Sequence, residues 1–221
     1  MGIPVPPGFT IITDACNHYL KNGKVIPDGL KEEVEKALER LEHSSGLAFG
    51  DRANPLLVSV RSGSRVSMPG MMDTILDLGL NEDSVRGLAE KTSNPRFAWD
   101  SFRRLIKMHS NVVMGVPDAV LNNIENQLKR DRGVQLDREL PPENLPLLTE
   151  MLRTEVKRFT GKDFPLEPRE QLWTAIEAVF SSWNNPRAIA YREMNEISHD
   201  LGTAVTVQMM VFGNMGDDCG S

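Results

Sequence analysis

The sequence predicts an α/β (α+β) fold: one lobe of sheet and helix, interrupted by an inserted helical subdomain. Three observations point there. Strand-like apolar runs occur only towards the two ends, at residues 9–13, 56–60 and 203–212. Between them, residues 81–167 carry apolar side chains at helical spacing, with no strand signal. A loop rich in Ser, Gly and Pro follows the second strand-like run at once. The resulting division is 1–80 as the first part of the lobe, 81–167 as the insert and 168–221 as the return. So few strands do not close a doubly wound sheet, and the lobe reads as incomplete.

Each element has a local reason. Pro4, Pro6 and Pro7 set an extended start, and residues 9–13 follow as a short strand. Asp14 is placed to cap a helix running through Tyr19 and Leu20. Residues 30–43 give the cleanest helix, with Leu30, Val34, Leu38 and Leu41 as its apolar stripe and a Glu32–Lys36 pair on the wet side. Gly46 and Gly50 end that region, and 56–60 reads as a buried strand. In the insert, the stripes are Val85, Leu88 and Ala89; then Phe97, Phe102, Leu105 and Ile106. They continue with Val120, Ile124 and Leu128, then Leu148, Leu152, Val156 and Phe159. Asn94-Pro95, Val116-Pro117, Gly133, Pro141-Pro142 and Gly161 punctuate them. A helix over 170–183 turns Leu172, Ile176, Val179 and Phe180 inward. The run 203–212 is a strong strand ending at Gly213, and 213–221 reads as a turn.

Composition narrows the function classes. Of 221 residues, 40% are hydrophobic and 25% charged, and the net charge is −6. That balance fits a globular protein and argues against nucleic acid or an acidic membrane as the main partner. It leaves room for a local basic pocket that takes a small anion. No run reaches the roughly 20 apolar residues of a membrane span. Cys16 and Cys219 are the only cysteines, too few for a disulfide framework or a zinc cluster. A reducing, cytoplasmic location is therefore the default, with a plastid or another organelle left open. Four histidines, His18, His43, His109 and His199, read as structural or solvated. The acidic pairs Glu82–Asp83 and Asp217–Asp218 read as a helix start and a solvated turn, so no metal site is expected.

The informative stretch is Val58-Ser59-Val60-Arg61-Ser62-Gly63-Ser64-Arg65-Val66-Ser67-Met68-Pro69-Gly70-Met71-Met72-Asp73-Thr74. A strand delivers Arg61 at its end, and a loop follows that can turn its amides toward a ligand. Gly63 and Gly70 permit backbone conformations and close approaches that a Cβ would block. Inward amides with Arg61 and Arg65 suit phosphate oxygens. The residues leave a second account equally open, a surface loop whose arginines pair with nearby carboxylates.

The motifs Leu-Leu-Val-Ser-Val-Arg-Ser-Gly, Arg-x-Ser-Met-Pro-Gly-Met-Met-Asp-Thr and Leu-Gly-Leu-Asn resemble the signature of the pyruvate phosphate dikinases. Ser182-Trp183-Asn184-Asn185-Pro186-Arg187-Ala188-Ile189 and the segment 202–214 extend the likeness over essentially the whole chain. The resemblance implies a partial ATP-grasp lobe, cut short at both ends, in which ATP with Mg2+ phosphorylates a histidine on a separate mobile domain. Phosphate accepts one phosphoryl group to give pyrophosphate, AMP departs, and the histidine passes the other to pyruvate, making phosphoenolpyruvate. It assigns Arg61, Arg65 and the loop residues Gly70, Met71, Met72 and Asp73 to the ATP phosphates. Gln208, Met209, Met210 and Val211 fall to the adenine side, with at least two of the four expected to serve only as packing. The same holds for Met68, Met71 and Met72, which can equally fill the core.

By the same resemblance, a Gly-Gly-Lys-Gly segment belongs just before Met1, and the acidic Mg2+ ligands and the phosphohistidine domain belong after Ser221. The piece alone is then expected to be inactive, and the full-length enzyme a homo-oligomer. Arg103 and Arg104 read as pairing with Asp100 or Glu90, with Arg104 as the candidate docking residue for the mobile domain. Two alternatives stand beside this reading: a stand-alone interaction module derived from the family, and a phosphoenolpyruvate synthase-like ATP-binding domain.

Overall fold

The computed structural model describes residues 5–215. Its framework is a four-stranded antiparallel sheet in the order β1-β6-β4-β5. The strands are β1 (Gly8–Ile11), β4 (Val58–Gly63), β5 (Thr74–Leu78) and β6 (Ala204–Met209). A separate two-residue parallel pair, β2 (Ala48–Phe49) and β3 (Pro55–Leu56), lies between helix α2 (Leu30–Ser45) and β4. The three strand-like runs of the sequence become β1, β4 and β6. Residues 210–212 leave the sheet after Met209, although Met210 N still donates to Leu57 O at 2.9 Å.

Strand β5 was not anticipated, and its irregularity explains why. Asp77 sits inside it at φ 62, and the β4–β5 register shifts between Val58 and Val60. A bulge of this kind breaks the period-two alternation by which a strand is read.

The helical readings need only local correction. In α1 (Thr13–Lys21) the N-cap position is Ile12 with no side-chain cap; Asp14 lies in the first turn, where its charge meets the helix dipole. Helix α2 buries Val34, Ala37, Leu38 and Leu41 as the stripe predicts, but Glu32 and Lys36 form no ion pair among the described residues. Helix α3 (Glu82–Thr92) is capped by the Asn81 side chain, which accepts from Asp83 N at 3.0 Å and Ser84 N at 2.8 Å. Helices α4 (Pro95–Val112), α5 (Asp118–Arg132) and α6 (Leu145–Thr160) follow, with two short 3-10 turns between α5 and α6. No described residue between 81 and 167 is in a strand. On α6, Phe159 faces outward at 48% exposure instead of joining Leu148, Leu152 and Val156 in the core.

Helices α7 (Pro168–Ser182) and α8 (Pro186–Met194) bring the chain back to β6. One continuous apolar core runs from Val60, Ile75 and Val207 of the sheet through Ile176 and Phe180 of α7 to Phe102 and Ile106 of α4. The helices of 81–167 therefore share their burial with the sheet. A smaller cluster forms at the α7–α8 corner around Met68, Trp183 and Ala188. Asp217, Asp218 and Cys219, with the rest of the predicted tail turn beyond Met215, lie outside the described residues.

Candidate functional site

Strand register builds the site. Thr10 pairs with Thr206, Thr206 with Arg61, and Arg61 with Thr74. Paired residues point to the same side, so these four side chains cross all four strands in one row. The neighbouring row, Phe9, Val207, Val60 and Ile75, points the other way into the core. Arg61 and Thr10 are exposed, and Thr206 and Thr74 half-buried, whereas Val60, Ile75 and Val207 are fully buried. One sheet face thus carries an arginine among hydroxyls, open to solvent. The Thr10 and Thr206 hydroxyls lie 3.3 Å apart. Arg61 and Arg65 have no ion pair or hydrogen-bonded side-chain partner among the described residues.

The loop from 64 to 73 hangs from the end of β4. Gly70 has φ 71, the left-handed conformation that favours glycine, and the turn there needs it. Gly63 is different: it continues the strand, and an added Cβ would meet the Ala204 side chain at an ordinary 3.4 Å. The methionines divide. Met68 is buried against Trp183 and Ala188, while Met71 and Met72 are half-buried around the same cluster. Asp73 is held on three atoms. Its Oδ1 accepts from Arg187 at 2.8 Å, its Oδ2 from the Asn185 amide at 3.0 Å, and its backbone N donates to Ser182 Oγ at 3.4 Å.

At the far end of β6 an apolar cleft of about 680 Å³ opens, lined by Leu57, Leu88, Met209, Met210, Val211 and Phe212. Gln208 does not line it; its Nε2 donates to Pro6 O at 3.0 Å. Phe212 packs edge-on to Phe97 of α4, ring centroids 4.9 Å apart, which fixes one wall.

The helical block carries a different kind of charge. Arg103 pairs with Asp100 at 2.8 Å and with Glu125 of α5, and Lys107 reaches the other Glu125 oxygen at 2.5 Å. Burial opposes the Arg103 charge, but the two carboxylates outweigh it and hold its pKa above the ordinary value. Glu90 pairs with Arg52. Arg104 makes no ion pair among the described residues; it is half-buried, and its charge bears on Asp77. Asp77 is buried, and neither of its oxygens has a hydrogen-bond partner among the described residues. That burial pushes its pKa up to about 6, against the attraction of Arg104 and with repulsion from Asp100.

His18, His43 and His199 are exposed. His109 is buried, its Nε2 3.0 Å from Thr174 Oγ. The Thr174 hydroxyl donates to Glu170 O at 2.7 Å, which makes Nε2 the protonated nitrogen and leaves Nδ1 an acceptor without a partner. Burial lowers the His109 pKa to about 4, so the ring is neutral at physiological pH. Among the described residues no three His, Cys, Asp or Glu side chains converge to hold a metal ion, and no helix is long and apolar enough to cross a membrane.

Sequence reasoning did not find Thr10, Thr74 and Thr206, because only long-range strand pairing puts them beside Arg61. It missed Asn185 and Arg187 as partners of Asp73 because they meet it only where the start of α8 packs against the loop, over a hundred positions away in sequence.

An antiparallel sheet with an arginine among hydroxyls, a glycine-turned loop over one end and an apolar cleft at the other has the character of a nucleotide-binding lobe. Comparison with known proteins makes this specific. Residues 22–220 match the family described as "Pyruvate phosphate dikinase, AMP/ATP-binding domain", and the chain belongs to that family. The chain is 51% identical over 222 residues to pyruvate, phosphate dikinase of Clostridium symbiosum, covering 100% of this chain and 25% of that protein. It is 49% identical over 217 residues to the Rhizobium meliloti enzyme, covering 98% of this chain and 24% of that protein. It is 47% identical over 221 residues to the chloroplastic enzyme of Flaveria trinervia, covering 100% of this chain and 23% of that protein. The chain thus spans about a quarter of the length of the curated relatives it matches.

Proposed function

We propose that the chain supplies the ATP-binding lobe of a pyruvate phosphate dikinase, on a divided ATP-grasp plan. The overall reaction converts ATP, pyruvate and phosphate into AMP, phosphoenolpyruvate and pyrophosphate, through a phosphohistidine on another domain. The observation that carries the reading is the row Thr10, Thr206, Arg61 and Thr74 on the open sheet face. Arg61 offers two parallel donors to a phosphate, and Arg65 stands on the loop beside it. The turn at Gly70, with Met71 and Met72, covers the phosphates, and Asp73 closes that loop. Met209, Met210 and Val211 line the cleft that takes the adenine, while Gln208 lies on the Arg61 side of β6. Thr206 and Met209 are three residues apart on β6, about 10 Å along the strand and on alternate faces, so a nucleotide lying on the row reaches the cleft over the end of the strand.

In phosphoryl transfer the protein chiefly positions groups and neutralises charge. Mg2+ supplies further charge neutralisation when it arrives with ATP. On the family plan its acidic protein ligands lie on the other lobe. Arg104, without an ion pair among the described residues, is the landing point for the mobile phosphohistidine domain. Cytoplasm or plastid and a homo-oligomeric full-length enzyme complete the proposal. Its test is Arg61→Ala in the full-length enzyme. The ATP half-reaction should fall severely while exchange between phosphoenolpyruvate and pyruvate is untouched; normal ATP rates in that variant would refute the assignment.

A further inference from the structure

A carboxylate is out of place beside a triphosphate, whose negative charges it would repel. Asp73 nevertheless ends the loop expected to cover one. We infer that Asp73 touches neither nucleotide nor metal, and that it is a positioning residue, clamped by Asn185 and Arg187, that mounts the phosphate loop on the α7–α8 corner. The inference rests on the nucleotide reading above.

Three observations carry it. Both carboxylate oxygens are already engaged, Oδ1 by Arg187 at 2.8 Å and Oδ2 by Asn185 at 3.0 Å, and the side chain is only 18% exposed. Arg187 cancels the charge locally, so the loop approaches an anion without the repulsion a free carboxylate would bring. The second anchor is Met68, five residues earlier, seated against Trp183 and Ala188. Only the segment between these anchors, with the turn at Gly70, is left to adapt to a ligand. The mount is itself braced: Trp183 Nε1 donates to His199 O at 2.8 Å, and the buried Arg192 guanidinium stacks 4.1 Å from the Trp183 ring centre. Asn185 is the N-cap residue of α8, yet its side chain caps nothing there, which frees its amide for Asp73.

A loop fixed at both ends binds with less ordering cost than a free one. Losing the clamp should therefore raise the KM for ATP while leaving kcat close to its original value. In the full-length enzyme, Asp73→Ala, Asn185→Ala and Arg187→Gln should each raise KM for ATP about 2- to 5-fold, the scale of one partly exposed charged contact. Hydrogen exchange over residues 64–72 should quicken in each. Asp73→Ala combined with Arg187→Gln should be no worse than the stronger single change, and Arg187→Lys should recover part of the loss. Loss of ATP use in Asp73→Ala with no effect of Asn185→Ala or Arg187→Gln would make Asp73 a ligand contact and overturn the clamp. Additive losses, or unchanged exchange over 64–72, would overturn it too. Arg61→Ala run alongside separates the two ideas: if it leaves ATP use normal, the nucleotide reading itself fails.

Discussion

Arg61 and Arg103 show two ways of holding a cation. Arg103 sits between α4 and α5 with Asp100 and Glu125 on it, and Glu125 is also claimed by Lys107. Its charge is spent inside the chain. Arg61 stands on an open strand face with threonines to either side and no carboxylate in contact among the described residues. Exposure alone does not mark it, since Arg86 and Arg130 are also exposed, each on a helix. What marks Arg61 is the row of hydroxyl groups around it. A charge that folding leaves unmatched within a ring of donors is available to an anionic ligand; one already neutralised is structural.

The contrast breaks first at Arg61. Arg61→Ala should cost the ATP half-reaction about 2–4 kcal/mol, roughly 30- to 1000-fold, with little change in stability. Arg103→Ala should do the reverse. It leaves the buried Glu125 with Lys107 alone, and urea unfolding should show a loss of about 2–3 kcal/mol. A stability loss at Arg61 equal to that at Arg103 would erase the distinction.

Asp77 sharpens the comparison because it is a buried carboxyl with Arg104 near it and no hydrogen bond among the described residues. Its folded pKa of about 6 lies above the unfolded value near 3.8. Between those values the folded state holds the extra proton, so stability falls as pH rises from about 4 to 6 and stays lower above that. Asp77→Asn removes the charge and suits φ 62, which asparagine tolerates. The variant should gain about 1–3 kcal/mol above pH 6 and little below pH 4. A gain that does not change with pH would contradict this origin. His109 acts in the opposite sense. Its folded pKa of about 4 lies below 6.5, so its contribution is intact above pH 6.5 and lost as pH falls toward 4. The two cancel in part in the unaltered chain, and the single variants are needed to see either.

The smallest expected effect is at Arg104. In the full-length enzyme, Arg104→Ala should slow ATP-dependent histidine phosphorylation a few-fold, with ATP affinity and phosphoenolpyruvate–pyruvate exchange unchanged. Making the change in an Asp77→Asn background removes the internal charge that Arg104 also faces. Equal losses in both half-reactions would point to a folding defect instead.

The difference between the regions also sets what the sequence discloses. The helical block is written locally: stripes such as Phe97, Phe102, Leu105 and Ile106 recur at helical spacing, and Asn81, Pro95 and Gly133 mark the ends. Arg61, Arg65 and the 67–74 loop were likewise visible, because strand, arginine and glycines are contiguous. The row around Arg61 was not. Thr10 and Thr206 are nearly two hundred positions apart, |i−j| 196, and no local pattern says that β6 lies between β1 and β4. β5 was hidden by the bulge at Asp77, and the partners of Asp73 by a separation of more than one hundred residues, |i−j| 112 and 114.

The central claim, that the open sheet face with its loop and the β6 cleft form one nucleotide site, is tested most directly by backbone amide NMR of the chain titrated with ATP. The account predicts shifts at Thr10, Arg61, Thr74 and Thr206, through 64–73, and at 209–212, with α5 and α6 unmoved. Shifts confined to the helices, or none in the row at saturating ATP, would contradict it.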